Sequence, residues 1–389
     1  MNKKQMLALG LHRLAVAMVA RGLSPLLPVY AIYLGANSQL VGYYMSFLQI
    51  VLISGNFLGG WLGDKLGNKK ILLIVSTVAS IPALWLMGQV NNIWQLTTLT
   101  AIIWCFYLGI GINLNLTLVG LLSLPEERGK VFGIFSVIAA LAGLLAGLTF
   151  GPIADLWGYS TMFKFVCLFS CFFALSELFL EDKPLSNIPL PETITKQSTK
   201  KWSKEFLLML IATLIMGLVS FGGNLGISLA MNQQGFLLRH ISFVIGFSAS
   251  ISFLFSPLSG WMSDKFGHKP ILISCYLIGA LGIFSLASAV SLWQFYLAAC
   301  GISFLSYVAL GPSFALITDL VAPDFLGRGI SLFRTAFRVG GILGFILTGS
   351  LIEKMGISLI FVLEGLILIV AIGLLIPHFP ERGSRGVGE

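Results

Sequence analysis

The stretch ILLIVSTVASIPALWLM, residues 71–87, carries no charge, and apolar runs of this kind recur along the whole chain. A bilayer core of about 30 Å needs about 20 apolar residues to be crossed as a helix. Only helices and closed barrels satisfy their backbone hydrogen bonds inside it. Barrel strands would alternate polar and apolar residues with period two, and these runs do not. Cut at charged and turn-forming residues, the sequence predicts twelve helical spans, at 8–34, 41–63, 71–89, 94–121, 131–154, 160–180, 205–230, 241–263, 271–290, 292–320, 328–351 and 357–377. Composition agrees. Of 389 residues 57% are hydrophobic and 10% charged, against about 25% charged in an ordinary soluble domain.

Cytoplasmic loops carry the excess of Lys and Arg. With the N-terminus inside, the outer side receives Lys164, Arg239 and Lys354, and Arg21, Arg334 and Arg338 fall within spans. That leaves eighteen of the twenty-four basic residues on the inner side. The expectation is a multi-pass protein of the cell (inner) membrane with both termini in the cytoplasm. The net charge of +8 is then mostly a topology signal, and nucleic acid is not an expected partner. The basic start resembles a signal peptide, but His12 and Arg13 interrupt the apolar run, which continues to Leu34. It reads as a retained first helix. Cys105, Cys167, Cys171, Cys275 and Cys300 lie in apolar spans without metal or redox spacing and read as packing residues.

The chain repeats itself. GGWLGDKLGNKK at 59–70 returns as SGWMSDKFGHKP at 259–270, an offset of 200. PEERGKVFGIF from 125 aligns with PDFLGRGISLF from 323 at an offset of 198, and further on Gly143 pairs with Gly341, Gly151 with Gly349, Asp155 with Glu353 and Gly158 with Gly356. The natural unit is a six-helix half: 1–182 and 205–389, joined by a polar linker at 183–204 too poor in apolar residues to fold alone. Six spans is an even number, so both halves enter from the same side. They form a parallel repeat about an axis along the membrane normal.

GGWLGDKLGNKK, between the second and third helices, resembles the signature of the major facilitator superfamily, and its second copy lies between helices eight and nine. The resemblance covers nearly the whole chain. It implies an all-α integral membrane protein of twelve helices in two six-helix bundles that rock about a central cavity. Gly60 is read as letting a neighbouring helix approach, and Gly67 as permitting positive φ in a tight turn. By resemblance Asp64 faces the start of helix eleven near Arg328, where a carboxylate gains about 0.3 to 1 kcal/mol from the helix dipole. Asp264 mirrors it near Lys130. Lys65, Lys69, Gly260, Lys265, Gly267 and Lys269 complete an expected conformational latch at the inner face. The alternative is that these loops only hold topology through their lysines.

A cargo site is expected near the midplane between the halves. Arg21 lies in the middle of helix one, and Arg338 about ten residues, some 15 Å, into helix eleven. Each costs about 2.5 to 3.5 kcal/mol on insertion scales. Such residues either serve a function or pair with Glu177, Glu364 or backbone carbonyls to hold helices together. Arg334, nearer the surface, reads as structural. Ser220, Asn224, Ser228 and Asn232, four apart on helix seven, form a polar stripe suited to a cavity wall or to interhelical hydrogen bonds. Asn113, Gln49, Asn56 and Tyr307 carry the same two readings. The deep carboxylates are Glu364 and Glu177, the candidates for proton coupling. Proton-coupled exporters of the family commonly carry an Arg on helix four before a Gly-x-Gly. Here Gly109 and Gly111 are present and that position is Cys105, while the helix-five glycines Gly143, Gly147 and Gly151-Pro152 are kept.

Three functions are open to such a chain. One is a secondary transporter of small organic molecules, an exporter working by alternating access with or without protons. Another is an exchanger or uniporter for an anionic solute held by Arg21 and Arg338. The third is a membrane scaffold with the same fold. No loop holds a nucleophile with its base, a metal cluster or a phosphate-cradling motif. The expectation is no enzyme, no cofactor and no metal, with a small solute, lipid and, where coupled, protons as partners.

Overall fold

A computed structural model describes residues 3–123, 127–180, 202–322 and 325–376, and these are helical with no strand among them. The helices are α1 (Lys3–Tyr33), α2 (Ser38–Leu66), α3 (Lys69–Leu86), α4 (Ile93–Leu122), α5 and α6 within Arg128–Ala174, α7 (Lys204–Gln233), α8 (Leu238–Phe266), α9 (His268–Leu286), α10 (Leu292–Leu320), α11 (Leu326–Met355) and α12 (Ile357–Leu375). The expected linker lies almost wholly outside the described residues, as do Pro125 and Pro323 of the repeat.

Eleven continuous helices are long and apolar enough to cross a membrane, where twelve spans are expected. The difference has one cause. Arg128–Ala174 contains 47 residues, about 70 Å at 1.5 Å per residue, more than twice the hydrocarbon thickness. Gly158 inside it has φ 80° and ψ 167°, outside the helical region, and divides it into α5 (128–157) and α6 (159–174). One residue makes the turn that a loop makes elsewhere. Several helix starts are capped by polar side chains: Asn68 accepts from the Ile71 amide, Asn92 from Gln95 and Ser203 from Phe206, and Ser291 with Gln294 forms a capping box.

The repeat is written in the backbone as well as the sequence. All six positive-φ glycines among the described residues fall into three pairs: Gly35 with Gly235, Gly67 with Gly267, and Gly158 with Gly356. Two π-helical segments also correspond, Ile103–Gly111 in α4 and Phe304–Val308 in α10, each holding a tyrosine, Tyr107 and Tyr307. Such widened turns are rare and frequent at functional sites. Between 56 and 78% of the apolar window is buried in α1, α4, α7 and α10, against 33 to 44% in the remaining helices. Those four are enclosed by protein. The outer helices turn side chains such as Phe57, Phe172 and Leu281 outward, as a lipid-facing surface requires.

Packing divides the chain into two compact units. The first comprises residues 1–20, 50–142 and 157–202, and its core joins Leu9, Leu73, Ile110, Leu114, Val119 and Phe135. The second comprises residues 21–49, 143–156 and 203–389. In it α7 and α11 run in close contact where Gly217, Gly340 and Gly344 lie against the opposing backbone, the small-residue packing of helices in lipid. Helices α1, α2 and α5 each contribute to both units.

Candidate functional site

Arg21, midway along α1, extends into an aromatic setting in the second unit. Its guanidinium carbon lies 5.4 Å from the centre of the Phe253 ring on α8 and 5.5 Å from that of Tyr307 on α10. The two rings are 6.3 Å apart. The arginine passes over Gly143 of α5, where a Cβ would stand 3.0 Å from its Cδ. Nη1 is buried without a hydrogen-bond partner. Arg338 on α11 donates to Gln49 Oε1 of α2 at 2.7 Å and lies 5.8 Å from the centre of the Phe221 ring on α7. Arg334 stacks on Phe314, 5.8 Å from its centre. No carboxylate pairs with Arg21 or Arg338 among the described residues. Two cations deep in the spans therefore rest on ring faces, each worth about 0.5 to 2 kcal/mol, and on one amide oxygen.

The softer candidates separate. On α7, Asn224 donates to the Ser220 carbonyl at 2.7 Å and Ser228 to the Asn224 carbonyl at 3.3 Å. The stripe bonds along its own helix. Asn113 donates to the Asn56 carbonyl at 3.0 Å and ties α4 to α2. Neither deep carboxylate takes an arginine. Glu364 accepts from Thr348 Oγ1 at 2.6 Å where α12 meets α11, and a Cβ at Gly222 of α7 would come within 2.5 Å of that hydroxyl. Glu177, in the 3₁₀ turn Leu175–Phe179 that ends the sixth span, lies 2.7 Å from His12 Nδ1 and accepts from Thr77 at 2.8 Å.

At the ends of the helices away from the termini, the second unit is fastened by two equivalent devices. Asp155 of α5 accepts the Leu238 and Arg239 amides at 3.0 and 2.9 Å and so caps α8. Glu353 of α11 accepts the Ser38 amide at 2.7 Å and the Asn37 side chain at 3.4 Å and caps α2. Each carboxylate meets the free amides and the positive dipole of a helix start. Behind each cap the helices cross on glycine. A Cβ at Gly147 would stand 2.9 Å from the Ser242 carbonyl oxygen, one at Gly246 2.6 Å from that of Gly143, and one at Gly349 2.7 Å from that of Ser38. Ser46 adds a bond to the Ile342 carbonyl at 2.9 Å.

The duplicated motif sits at the opposite helix ends. Asp64 is 85% exposed, and Lys69, itself buried, donates to the Gly63 carbonyl at 2.8 Å and reaches Asp64 at 3.5 Å. Lys65 lies over Trp61 and Lys265 over Trp261, the same arrangement one repeat apart. Asp264 is exposed. Lys269 donates to the Ile376 carbonyl, and Arg328 lies over Phe325. Gly67 and Gly267 have φ of 68° and 95°. The reading of Gly60 is corrected: a Cβ there, or at Gly260, meets nothing within 4 Å. The close approach belongs to Gly55 and Gly59, which lie against Cys105 and Ile110 of α4. Residue 60 is one step, about 100°, further round the helix.

Comparison with known proteins bears on this geometry. The sequence profile described as Major Facilitator Superfamily matches residues 9–252 and 206–388. The chain belongs to that superfamily. Curated relatives include the multidrug resistance protein MdtG of Salmonella choleraesuis (strain SC-B67), 26% identical over 372 residues and covering 90% of this chain and 89% of the relative. MdtG of Salmonella typhi matches with the same identity and coverage. Among solved structures, the nucleoside transporter NupG superposes with a TM-score of 0.77 at 15% identity, over 97% of this chain and 100% of that one. A POT family transporter in complex with 5-aminolevulinic acid gives 0.77 at 14% identity, over 95% of each. The superfamily fold, two six-helix bundles in a multi-pass membrane protein, is therefore that of this chain, which is a transporter and no enzyme.

Within the superfamily fold, Asp155 and Glu353 are the residues whose part the sequence does not disclose. They are paired there as repeat positions, but their role as caps depends on which helix start each one meets. A carboxylate at the end of a span, one repeat from another, is the available signal. Phe253, Phe221 and His12 carry no mark of their own, because an aromatic or a histidine in an apolar run is ordinary until its neighbour is known.

Proposed function

We propose that this superfamily member exports small organic solutes by alternating access, drawing on a proton gradient, with both termini in the cytoplasm. The observation that carries the reading is the cluster of Arg21, Phe253, Tyr307 and Arg338, charge and ring faces brought together from α1, α8, α10 and α11. Superfamily transporters bind cargo between inward-facing helices near the midplane. The names of the relatives, multidrug resistance proteins, favour export of amphipathic organic molecules. In this reading the Asp155 and Glu353 caps hold the outer side shut in one state, and the motif carboxylates Asp64 and Asp264 latch the inner side in the other, Asp64 against α11 near Arg328.

A second reading is favoured by the absence of a carboxylate beside either arginine among the described residues: the solute is an anion and neutralises them on binding. The test is reconstitution in liposomes under an imposed pH gradient, with cationic, neutral and anionic dyes offered in turn. Gradient-driven flux of a dye supports the exporter, and flux confined to anions supports the second reading. Absence of flux for every class, with Asp64→Asn indistinguishable from the parent in every assay, would leave a scaffold.

A further inference from the structure

We propose that His12, Glu177 and Thr77 form the binding site for the coupling proton, in the first unit and apart from the arginine cluster. The proposal rests on the transport reading for the proton's role in the cycle, and on geometry alone for the site. His12 and Glu177 are each 1% exposed and 2.7 Å apart, Nδ1 to Oε1. Thr77 of α3 donates to the same oxygen at 2.8 Å. Three helical segments meet on one carboxylate oxygen.

Charge fixes how many protons this pair carries. With one proton shared between Nδ1 and Oε1, as neutral imidazole and carboxylic acid or as imidazolium and carboxylate, the pair is neutral overall. Removing it leaves a buried carboxylate whose remaining donor is one hydroxyl. Adding another leaves a buried cation. Either departure is strongly penalised in a low-dielectric interior. The pair therefore holds its proton while enclosed and exchanges it with water only when the helices around it part. That is the behaviour a coupled carrier requires of its ion site.

The surroundings fit exchange better than a purely structural tie. A structural pair is expected to satisfy its remaining polar atoms, yet His12 Nε2, Glu177 Oε2 and Ser170 Oγ are buried without hydrogen-bond partners. The π-helical segment of α4 faces the histidine. Its Tyr107 meets the imidazole edge-on, centroids 6.1 Å apart, and at Gly111, which ends the segment, a Cβ would still lie 3.8 Å from Nε2. The titratable groups turned toward the pair are Tyr107 from α4 and Cys171 from α6, which share an electrostatic environment with Glu177. From α3 come the hydroxyls of Ser76 and Thr77. Arg13, next along α1, has an interaction of its own. Helix α1 runs from this site to the solute cluster. His12 belongs to its part in the first unit and Arg21, nine residues and about 13 Å further on, to its part in the second.

The test is an infrared pH titration of the purified protein, following the carboxylic acid carbonyl band. It is paired with proteoliposome assays of ethidium and carboxyfluorescein as cationic and anionic probes. The parent should show a titration step that disappears in both His12→Gln and Glu177→Gln and persists in Glu364→Gln. Thr77→Val, which keeps both titrating groups, should move its midpoint and keep the step. In liposomes Glu177→Gln should lose accumulation of probe against its gradient, by tenfold or more, while downhill exchange continues. A step that survives both His12→Gln and Glu177→Gln overturns the site, as does uphill accumulation in Glu177→Gln equal to the parent. A parent that moves neither probe defeats the transport reading instead, and the titration still decides the proton site.

Discussion

Arg21 and Arg338 are the residues at which sequence and structure agree most closely on what is unusual and differ most on what surrounds it. An arginine inside an apolar span is visible in the sequence because its insertion cost is high. The rings that receive it are not, since Phe253 and Tyr307 lie 232 and 286 residues from Arg21 and nothing local marks them. The expected carboxylate partners, Glu177 and Glu364, are instead taken by His12 and Thr348. An arginine kept for stability would be paired with a carboxylate, and among the described residues Arg21 has none. Arg21→Ala should therefore abolish solute transport while leaving the melting temperature in detergent unchanged or raised, since the cation–π attraction given up is smaller than the desolvation relieved. A melting temperature lowered by several degrees, with transport intact, would assign Arg21 to the scaffold of the fold.

The elements are legible to different depths. Spans reveal themselves by length and apolarity, and their existence follows from composition. What separates α5 from α6 is Gly158 alone, so twelve spans appear as eleven continuous helices. The π-helical segments of α4 and α10 carry no sequence signature, because the extra residue in a widened turn is spread over its hydrogen bonds. The helix-five glycines are legible, but their partner helix is not. They lie where α5 crosses α8, with the opposing backbone under 3 Å from a would-be Cβ at Gly147 and Gly151. Overpacking of this kind costs about 1 to 3 kcal/mol, and it acts only on the state in which the crossing is closed. Gly147→Val should therefore shift the population toward the state open at that face. In a cysteine-free background carrying Ser46→Cys, labelling by an impermeant maleimide from outside should rise several-fold. Unchanged labelling would mean that the α5–α8 crossing does not govern access.

At the scale of the whole molecule, duplication organises everything else. The glycine turns, the π segments, the lysine–tryptophan contacts of the motif and the carboxylate caps all occur once per repeat. A carrier that alternates needs matched fastenings on both faces, and the sequence displays only the inner set, because the motif is contiguous. The outer set, Asp155 on α8 and Glu353 on α2, joins residues 83 and 315 apart. Each cap contributes on the order of 1 kcal/mol. Removing both should favour the open outer face by roughly a factor of ten or more, at 1.4 kcal/mol per tenfold. The most direct measurement is a pulsed electron spin resonance distance between labels at the end of α5 and the start of α8. It would be recorded for the parent and for Asp155→Asn with Glu353→Gln. A second, longer distance gaining population in the double variant is the predicted result. One unchanged distance in both proteins, with transport also unchanged, would contradict the alternating-access account.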